Sequence, residues 1–502
     1  MPESEPSRAA TQVETCDVCI VGAGIAGLNA LFVASRYLSR NQRVVLIDRR
    51  PRVGGMWVDT YPYVRLHQPH PMFTAGNIEW TLGKPRAYLA TKDEVLDHFA
   101  HCVDVVRQQV RVDEYLGWDF ESAEEADGIV RVSCRSRDGR VLVVETKRLI
   151  KAYGFGIMPN EPLSVSSSRV RSVSPDSCDV RMGDMRASDA PVWIIGGGKT
   201  AMDTAHTLIT EYPGREVNLV AGRGTFFFSR DRILPSGSRR WWGGTTSATL
   251  ANQLAQRFDG TNEAQVQDWF RSTYGTFVTP SADNFVLGVL SEAETTKIAA
   301  GLNDVVMDYF VNAIDSNGTT ELVFRSGSTK TIQPDSWIVN CTGYIRLDTS
   351  YSFDPSTYEP YVSASGAVVS IQPRSAVLHL PAFMGYYLAH LMFLGKLTDL
   401  PLYELDLFEL RRKSDNVFPY ALIALVRHNL CLVYDNVPSR VFTENKLDFD
   451  AWYPLPRRLW NTVQFLRTRR ETLEHARRVL DTVRDRFDIR CGPLGQDRTA
   501  DV

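Results

Sequence analysis

The feature that most constrains this chain is a glycine pattern that occurs twice, each time directly after a short apolar run. The first copy has Gly22, Gly24 and Gly27 in the spacing G-x-G-x-x-G, and the second has Gly196 and Gly198 with alanine in the third place. This spacing is typical of a strand that turns sharply into a helix beside the phosphates of a dinucleotide. One copy is a weak signal, but two copies in one chain indicate two nucleotide sites with electron transfer between them.

Each residue of the pattern has its own physical role. Gly22 permits the tight turn, Gly24 lets the main chain approach a pyrophosphate, and Gly27 lets the helix pack closely on its strand. The helix start then presents main-chain N–H groups and the positive end of the helix dipole to the phosphates. Lys199 and Thr200 open the second helix, so we expect both to contact the second nucleotide.

The end of the second strand in each unit predicts which nucleotide is bound. In the first unit this position is Asp48, followed by Arg49, and an acid there accepts hydrogen bonds from ribose hydroxyls and repels a 2′-phosphate. The first site is therefore expected to take FAD or NAD. In the second unit the strand ends in Gly222 and Arg223, and a guanidinium suits a phosphate, which favours NADPH.

A glycine pair follows the first unit. Gly54 and Gly55 have no side chains, so a ligand can approach their main chain closely. Met56 and Trp57 come directly after them. We expect Gly55, Met56 and Trp57 to complete the first nucleotide site together with Arg49.

Composition narrows the remaining functions. The chain has 502 residues, 44% of them hydrophobic and 23% charged, which is enough for two or three globular domains. A net charge of −3 gives no electrostatic case for nucleic acid or for an anionic membrane. Eight cysteines do not suggest a disulfide framework, no signal peptide is evident and no metal-ligand spacing occurs, so we expect a cytoplasmic, metal-free protein. Homo-oligomerisation is left open.

The order of strand and helix patterns predicts one domain inserted into another. Alternating runs at 127–152 and again at 320–343 both read as β-meanders. The apolar stretch 376–395 contains two histidines and a proline, which favours a buried segment over a membrane span. The expected organisation is a disordered tail at 1–13, a first nucleotide domain at 14–165 and 320–400, a second at 166–319 with its own insertion, and a helical region at 401–502.

The motif order resembles that of the class B flavin-dependent monooxygenases, which include flavin-containing monooxygenases, N-hydroxylases and Baeyer–Villiger enzymes. The resemblance covers roughly residues 15–400 and runs through GAGIAG, Asp48, GGMW, YPYVRLH, GGGKTA, Arg223 and NCTGY. It implies an α/β fold with two Rossmann-like domains, the NADPH domain inserted into the FAD domain. It also implies an enzyme that inserts one atom of O2 into a small-molecule substrate through a C4a-(hydro)peroxyflavin.

The resemblance also assigns roles to individual residues. His67 stands where the family keeps an acid close to the flavin, so it is the candidate catalytic residue. Thr342 and Gly343 resemble the family's second threonine-glycine motif, which links the two nucleotide domains. These three positions complete the candidate site.

Several activities stay open at this stage. The Baeyer–Villiger fingerprint is absent between residues 159 and 192, where Arg171 occupies the place of its histidine, and this favours oxygenation at nitrogen or sulfur. A disulfide reductase would need a redox cysteine pair, but Cys16 and Cys19 lie in the first strand and are expected to face opposite ways. Baeyer–Villiger oxidation of a ketone, disulfide-reductase-like chemistry and a non-catalytic flavoprotein sensor remain the alternatives.

Overall fold

The structure is a computed structural model that describes residues 11–154, 156–157, 159–179, 183–343, 345–346, 359–372 and 374–494. Parallel sheets flanked by helices form its centre, which confirms the α/β class. The strands of the described residues, in chain order, are β1 (Gln12–Cys16), β2 (Val18–Val21), β3 (Arg43–Asp48), β4 (Arg111–Leu116), β5 (Trp118–Ala126), β6 (Ile129–Ser136), β7 (Val141–Thr146), β8 (Leu149–Ala152), β9 (Gly156–Ile157), β10 (Arg171–Val173), β11 (Val192–Ile195), β12 (Val217–Val220), β13 (Thr225–Ser229), β14 (Gly275–Thr276), β15 (Asn284–Leu290), β16 (Asp304–Val306), β17 (Phe310–Ser316), β18 (Thr319–Phe324), β19 (Thr329–Ile332), β20 (Trp337–Asn340), β21 (Ile345–Arg346), β22 (Val368–Ile371), β23 (Ser375–Ala376), β24 (Tyr403–Asp406) and β25 (Cys491–Pro493).

The helices lie on the faces of these sheets and make up most of the C-terminal region. They are α1 (Ile25–Tyr37), α2 (Lys92–Arg107), α3 (Lys199–Glu211), α4 (Arg230–Ile233), α5 (Ser247–Arg257), α6 (Glu263–Tyr274), α7 (Glu292–Gly301), α8 (Pro381–Phe393), α9 (Leu407–Lys413), α10 (Phe418–Asn436), α11 (Arg440–Thr443) and α12 (Leu455–Phe487). No helix among the described residues combines the length and the apolar character that crossing a membrane requires.

The first nucleotide domain is built on a five-stranded sheet with the order β22-β8-β2-β3-β4, in which every neighbouring pair is parallel. Helix α1 packs on one face together with the buried helix α8. The two helices approach so closely at Gly385 that an added Cβ would lie 2.1 Å from the Ala26 carbonyl oxygen. The apolar stretch 376–395 is therefore largely buried in the core, as expected. The opposite face of the parallel sheet is covered by the meander sheet β1-β7-β6-β5.

The second nucleotide domain repeats this plan with the parallel sheet β10-β20-β11-β12-β16 and helices α3 and α7. Here the sequence-based boundary is wrong, because β20 pairs directly with β11 and the preceding meander β17-β18-β19 belongs with it. The insertion thus extends through residue 343. Each nucleotide domain has its own meander. The second meander, at residues 320–343, therefore belongs to the second domain and does not mark the point where the chain returns to the first domain.

The two connections between the nucleotide domains run side by side. Strand β9 leaves the first domain and β21 returns to it, and the two pair in antiparallel fashion. The expected tail is also shorter than predicted, since β1 begins at Gln12 and pairs with β7, whereas residues 1–10 lie outside the described part of the chain. The C-terminal region is helical, as expected, with the small sheet β23-β24-β25 added.

Candidate nucleotide sites and the segment between them

The first glycine turn lies at the carboxyl end of β2. Gly22 has a φ of +108°, and an added Cβ would lie 2.4 Å from the Ala152 carbonyl oxygen. A Cβ on Gly27 would lie 1.8 Å from the Gly22 carbonyl oxygen. Both positions therefore exclude any side chain, and their packing brings the start of α1 directly against the strand end.

The glycine pair meets this turn. The Gly54 N–H donates to the Ala23 carbonyl at 3.0 Å, and a Cβ on Gly24 would lie 3.2 Å from the Cα of Gly55. Gly24 is the N-cap of α1 and makes no side-chain hydrogen bond. The main-chain N–H groups of the first helical turn therefore have no capping side chain as an acceptor. This cradle of main-chain donors suits a diphosphate.

Met56 and Trp57 follow in a 3-10 turn at Gly55–Val58. Met56 is half-buried, whereas Trp57 is buried and packs against Phe73 at 5.8 Å between ring centroids. The structure thus places these predicted residues beside the first turn, with the Trp57 side chain in the core.

Asp48 is enclosed by the protein's own main chain. Its carboxylate accepts from the Ala23 N–H at 2.6 Å and from the Arg50 N–H at 2.8 Å, and none of its side chain is exposed. Burial raises the pKa of Asp48, and these N–H donors and the Arg50 guanidinium partly offset the rise. A carboxylate has room for about four hydrogen bonds, so two places remain, but contact with a ribose would require the surrounding loop to open. Arg49 is half-buried directly after β3.

The second glycine turn is more open. Gly196 has a φ of +128°, and its Cβ would lie 2.7 Å from the Cys341 carbonyl oxygen, so this turn packs tightly against the end of β20. Gly198 caps α3 without a side-chain hydrogen bond, and an added Cβ there would meet nothing within 4 Å. Thr200 is buried in the first turn of the helix. The start of α3 therefore has free space in front of its N–H groups, which fits a nucleotide.

Lys199 is held by an acid one turn further along α3. Its Nζ pairs with the Asp203 carboxylate, whose other oxygen accepts from the Tyr61 hydroxyl at 2.7 Å. Asp203 thus connects the cation of the second fingerprint to the first domain. The i, i+4 spacing of Lys199 and Asp203 could have revealed the ion pair from sequence, but nothing in the sequence identifies Tyr61 as the third partner.

Arg223 lies at the end of β12, after Gly222 with its φ of +61°. Its guanidinium donates to the Asn284 side-chain oxygen at 3.0 Å and lies 3.6 Å from the Asp415 carboxylate. The side chain is 47% exposed, so a phosphate can reach it.

Thr342 and Gly343 lie at the crossing between the domains. The Thr342 hydroxyl donates to the Asn340 side-chain oxygen at 2.7 Å, and Gly343 has a φ of +66°. Both are exposed and stand between β20 and the returning strand β21. They therefore occupy the position that a domain-linking motif requires.

The segment 61–67 of the first domain lies against α3 of the second. Besides the Tyr61 contact, the Tyr63 hydroxyl lies 2.8 Å from the Thr204 hydroxyl and 3.1 Å from the Pro175 carbonyl. A cavity of about 80 Å³ opens beside this contact, lined by Tyr63 and Arg65 on one side and by α3 and α7 on the other. A cavity of this size is a crevice between the domains, since a site for a drug-sized ligand needs about 300 Å³ or more.

His67 ends this segment and faces the second domain. Its main-chain carbonyl accepts from Arg230 at 2.8 Å. Burial lowers the pKa of His67 well below its usual range, and the nearby cations Lys199 and Arg230 lower it further. The imidazole is therefore neutral at physiological pH. Arg230 in turn pairs with Glu294 at 3.0 Å, a contact that no sequence signal indicated.

Both glycine fingerprints fall within the part of the chain that matches one family model. Residues 16–233 match the family model described as pyridine nucleotide-disulphide oxidoreductase. The uncharacterized proteins Rv2000 of Mycobacterium tuberculosis (strain ATCC 25618 / H37Rv) and Mb2023 of Mycobacterium bovis (strain ATCC BAA-935 / AF2122/97) are each 29% identical over 232 residues. The match covers 41% of this chain and 38% of either relative, so the chain spans well under half the length of these relatives.

Solved structures with a similar arrangement include oxygenases and a reductase. An open cyclohexanone monooxygenase is 14% identical, covers 78% of this chain and 90% of its own, and has a TM-score of 0.48. An ornithine N-hydroxylase from Kutzneria sp. 744 is 17% identical over 70% and 86%, with a TM-score of 0.42. A bacillithiol disulfide reductase from Bacillus cereus is 14% identical over 76% and 99%, also with a TM-score of 0.42.

Proposed function

We propose that the protein is an FAD-dependent, NADPH-consuming monooxygenase that oxygenates a small molecule at nitrogen or sulfur. The proposal rests mainly on the contacts of segment 61–67. This segment belongs to the first nucleotide domain, contacts the second, and places the neutral His67 beside Lys199 and Arg230. The chain can thus hold one nucleotide in each domain, on opposite sides of the contact between segment 61–67 and α3.

The first fold suits FAD. Its main-chain donors at the start of α1 and the close approach of Gly24 and Gly55 form a narrow cradle for a diphosphate. When bound, FAD would accept a hydride from NADPH and activate molecular oxygen. Asp48 fixes the shape of this cradle by holding the Ala23 N–H, and its negative charge disfavours a 2′-phosphate there.

The second fold suits NADPH. Gly198 leaves space at the start of α3, and Lys199 supplies a cation whose position Asp203 and Tyr61 fix. Arg223 offers an accessible guanidinium at the strand end where an acid would otherwise select NADH.

His67 is proposed as the residue that handles a proton beside the flavin. Because its imidazole is neutral, one ring nitrogen can donate a hydrogen bond while the other accepts one. Lys199 and Arg230 disfavour a second proton on this ring, so His67 would keep this dual character well below neutral pH.

The cysteines do not support disulfide-reductase chemistry. All eight are free, and burial raises the pKa of each thiol, for example to about 12 for Cys341 and about 11 for Cys102. Such an enzyme needs a thiolate next to the flavin, and a buried thiol of this kind stays protonated and unreactive.

The region that would hold a Baeyer–Villiger fingerprint does not support that reaction either. Arg171, which takes the place of the fingerprint histidine, lies in β10 at the edge of the second sheet and stacks on Trp337 at 5.0 Å. This cation is engaged in packing at a sheet edge, which favours the oxygenation of nitrogen or sulfur.

The test is NADPH consumption in the presence of panels of amines, amino acids, sulfides and ketones, under isotopically labelled oxygen. The expected result is a product with one labelled oxygen on nitrogen or sulfur, formed in step with NADPH oxidation. Labelled esters from ketones would establish Baeyer–Villiger oxidation instead. NADPH oxidation that yields hydrogen peroxide with every panel member, or reduction of a disulfide, would overturn the proposal.

A further inference from the structure

The first half of helix α12 exposes an apolar stripe to solvent. Its opposite side packs against α10, whereas the outward positions follow the i, i+4, i+8, i+11 spacing of a single helix face. Leu455 is 61% exposed and Trp460 60%. The exposed apolar residues of this half are Leu455, Leu459, Trp460, Val463 and Leu466.

A second exposed aromatic group lies beside the start of this helix. Arg457 donates to the Gly243 carbonyl at 2.5 Å and to the Gly244 carbonyl at 2.8 Å. These bonds hold the loop of residues 236–245 against the start of α12. That loop carries Trp241 and Trp242, and Trp242 is 74% exposed. We call residues 236–245 together with residues 455–470 the Trp–Arg surface.

The charged side chains of these two segments all have one sign, and the exposed Glu471 and Glu474 follow in the second half of α12. The two segments of the Trp–Arg surface contain seven arginines and no acidic residue: Arg239, Arg240, Arg457, Arg458, Arg467, Arg469 and Arg470. Among the groups that face it from other elements, Asp435 pairs with Arg469 at 2.9 Å, and the buried Asp448 and Asp450 lie near Arg458. Arg467 and Arg470 are exposed, and within the described part of the chain neither has an ion pair. A net charge of −3 for the whole chain conceals this local concentration.

The second half of α12 differs. Its outward positions carry both signs, with Arg477 4.0 Å from Asp481 and Arg484 2.8 Å from the same acid. A solvated, salt-bridged face accounts for this half, but not for the apolar and purely cationic first half.

We propose that the Trp–Arg surface binds the interface of an anionic membrane, with the first half of α12 lying on the membrane and not crossing it. Exposed tryptophans next to arginines match the two environments of such an interface, since the indoles enter the boundary layer and the guanidinium groups attract anionic headgroups. The 16 residues of this half form a strip about 24 Å long at a rise of 1.5 Å per residue. A second copy of the chain is a less suitable occupant, because a two-fold contact would place the arginine-rich surface against itself.

The experiment is vesicle flotation with the intact protein. One set of vesicles contains equal parts of phosphatidylglycerol and phosphatidylcholine, and the other contains phosphatidylcholine alone. The protein is expected to float with the anionic vesicles and to be released by salt. Arg467→Gln together with Arg470→Gln should weaken partitioning about 30-fold, since each cationic side chain near an anionic leaflet contributes roughly fivefold. Trp242→Ser and Trp460→Ser should each weaken it about tenfold.

Matched controls separate this surface from general charge and hydrophobicity. Arg477→Gln with Arg478→Gln removes two exposed arginines from the same helix, and Val311→Ser removes an exposed apolar side chain elsewhere. Neither control should change partitioning. No flotation with anionic vesicles, equal binding to phosphatidylcholine alone, or equal losses in the controls would each overturn the proposal. A concentration-dependent dimer that Trp460→Ser abolishes would overturn it too, because the surface would then join two copies.

Discussion

Arg223 should determine the preference for NADPH over NADH. The perturbation is Arg223→Gln, which removes the guanidinium but keeps a polar side chain of similar length. The contact with Asp415 at 3.6 Å is between exposed groups, so its loss should cost the fold no more than about 1 kcal/mol. A charge-assisted hydrogen bond to a phosphate contributes about 1.5–3 kcal/mol, which predicts a 10- to 150-fold rise in the Kd for NADPH. NADH has no 2′-phosphate, so its Kd should stay unchanged.

The assay is calorimetric titration of both coenzymes, supported by the rate of anaerobic flavin reduction. Arg131→Gln is the matched control, because Arg131 is also an exposed arginine, 61% accessible and 3.6 Å from the carboxylate of Glu145. The control should leave both coenzymes unaffected. Equal weakening of NADPH and NADH by Arg223→Gln would refute the assignment, since the arginine would then shape the site without contacting the phosphate.

Three further changes test the packing around the sites. Gly27→Ala should destabilise the fold by at least about 3 kcal/mol and abolish flavin retention, because the new Cβ would lie 1.8 Å from the Gly22 carbonyl oxygen; normal flavin content and melting temperature would contradict this. Tyr61→Phe should lower the unfolding free energy by about 1.5 kcal/mol in denaturant titrations, since Asp203 loses a hydrogen bond of 2.7 Å, and an unchanged midpoint would speak against that contact. Burial lowers the pKa of His390 to about 4, so the unfolded chain binds this proton at a higher pH than the folded chain does. Titration of His390 should therefore lower the stability by about 1.6 kcal/mol between pH 6.5 and about pH 5. His390→Phe should reduce that pH dependence without abolishing it, because burial also lowers the pKa of His98 to about 3 and that of His379 to about 4; an unchanged slope would exclude His390 as a contributor.

Local patterns in the sequence were sufficient to predict much of this fold. The alternating runs at 127–152 and 320–343 predicted strands β6–β8 and β18–β20, because such signals act over a few residues. The position of the domain boundary was predicted wrongly because it depends on contacts that are not local. Whether β20 pairs with β11 or with the first sheet is decided by contacts far apart in the chain, and local alternation is the same in either case.

The candidate site shows the same division. Glycine spacing correctly predicted the tight approaches at Gly22 and Gly27, since only a missing side chain fits them. The enclosure of Asp48 could not be predicted, because it depends on how the loop after β3 folds back over the strand end. The Tyr61–Asp203 contact joins residues 142 positions apart, and no local pattern encodes such a pairing.

The most direct test of the two-nucleotide account is anaerobic titration of the purified, flavin-loaded protein with NADPH. We expect a yellow protein whose visible flavin absorption is bleached by one equivalent of NADPH and returns when oxygen is admitted. A protein that is colourless and cannot be reconstituted with FAD, or one whose bound flavin stays oxidised in excess NADPH, would contradict it.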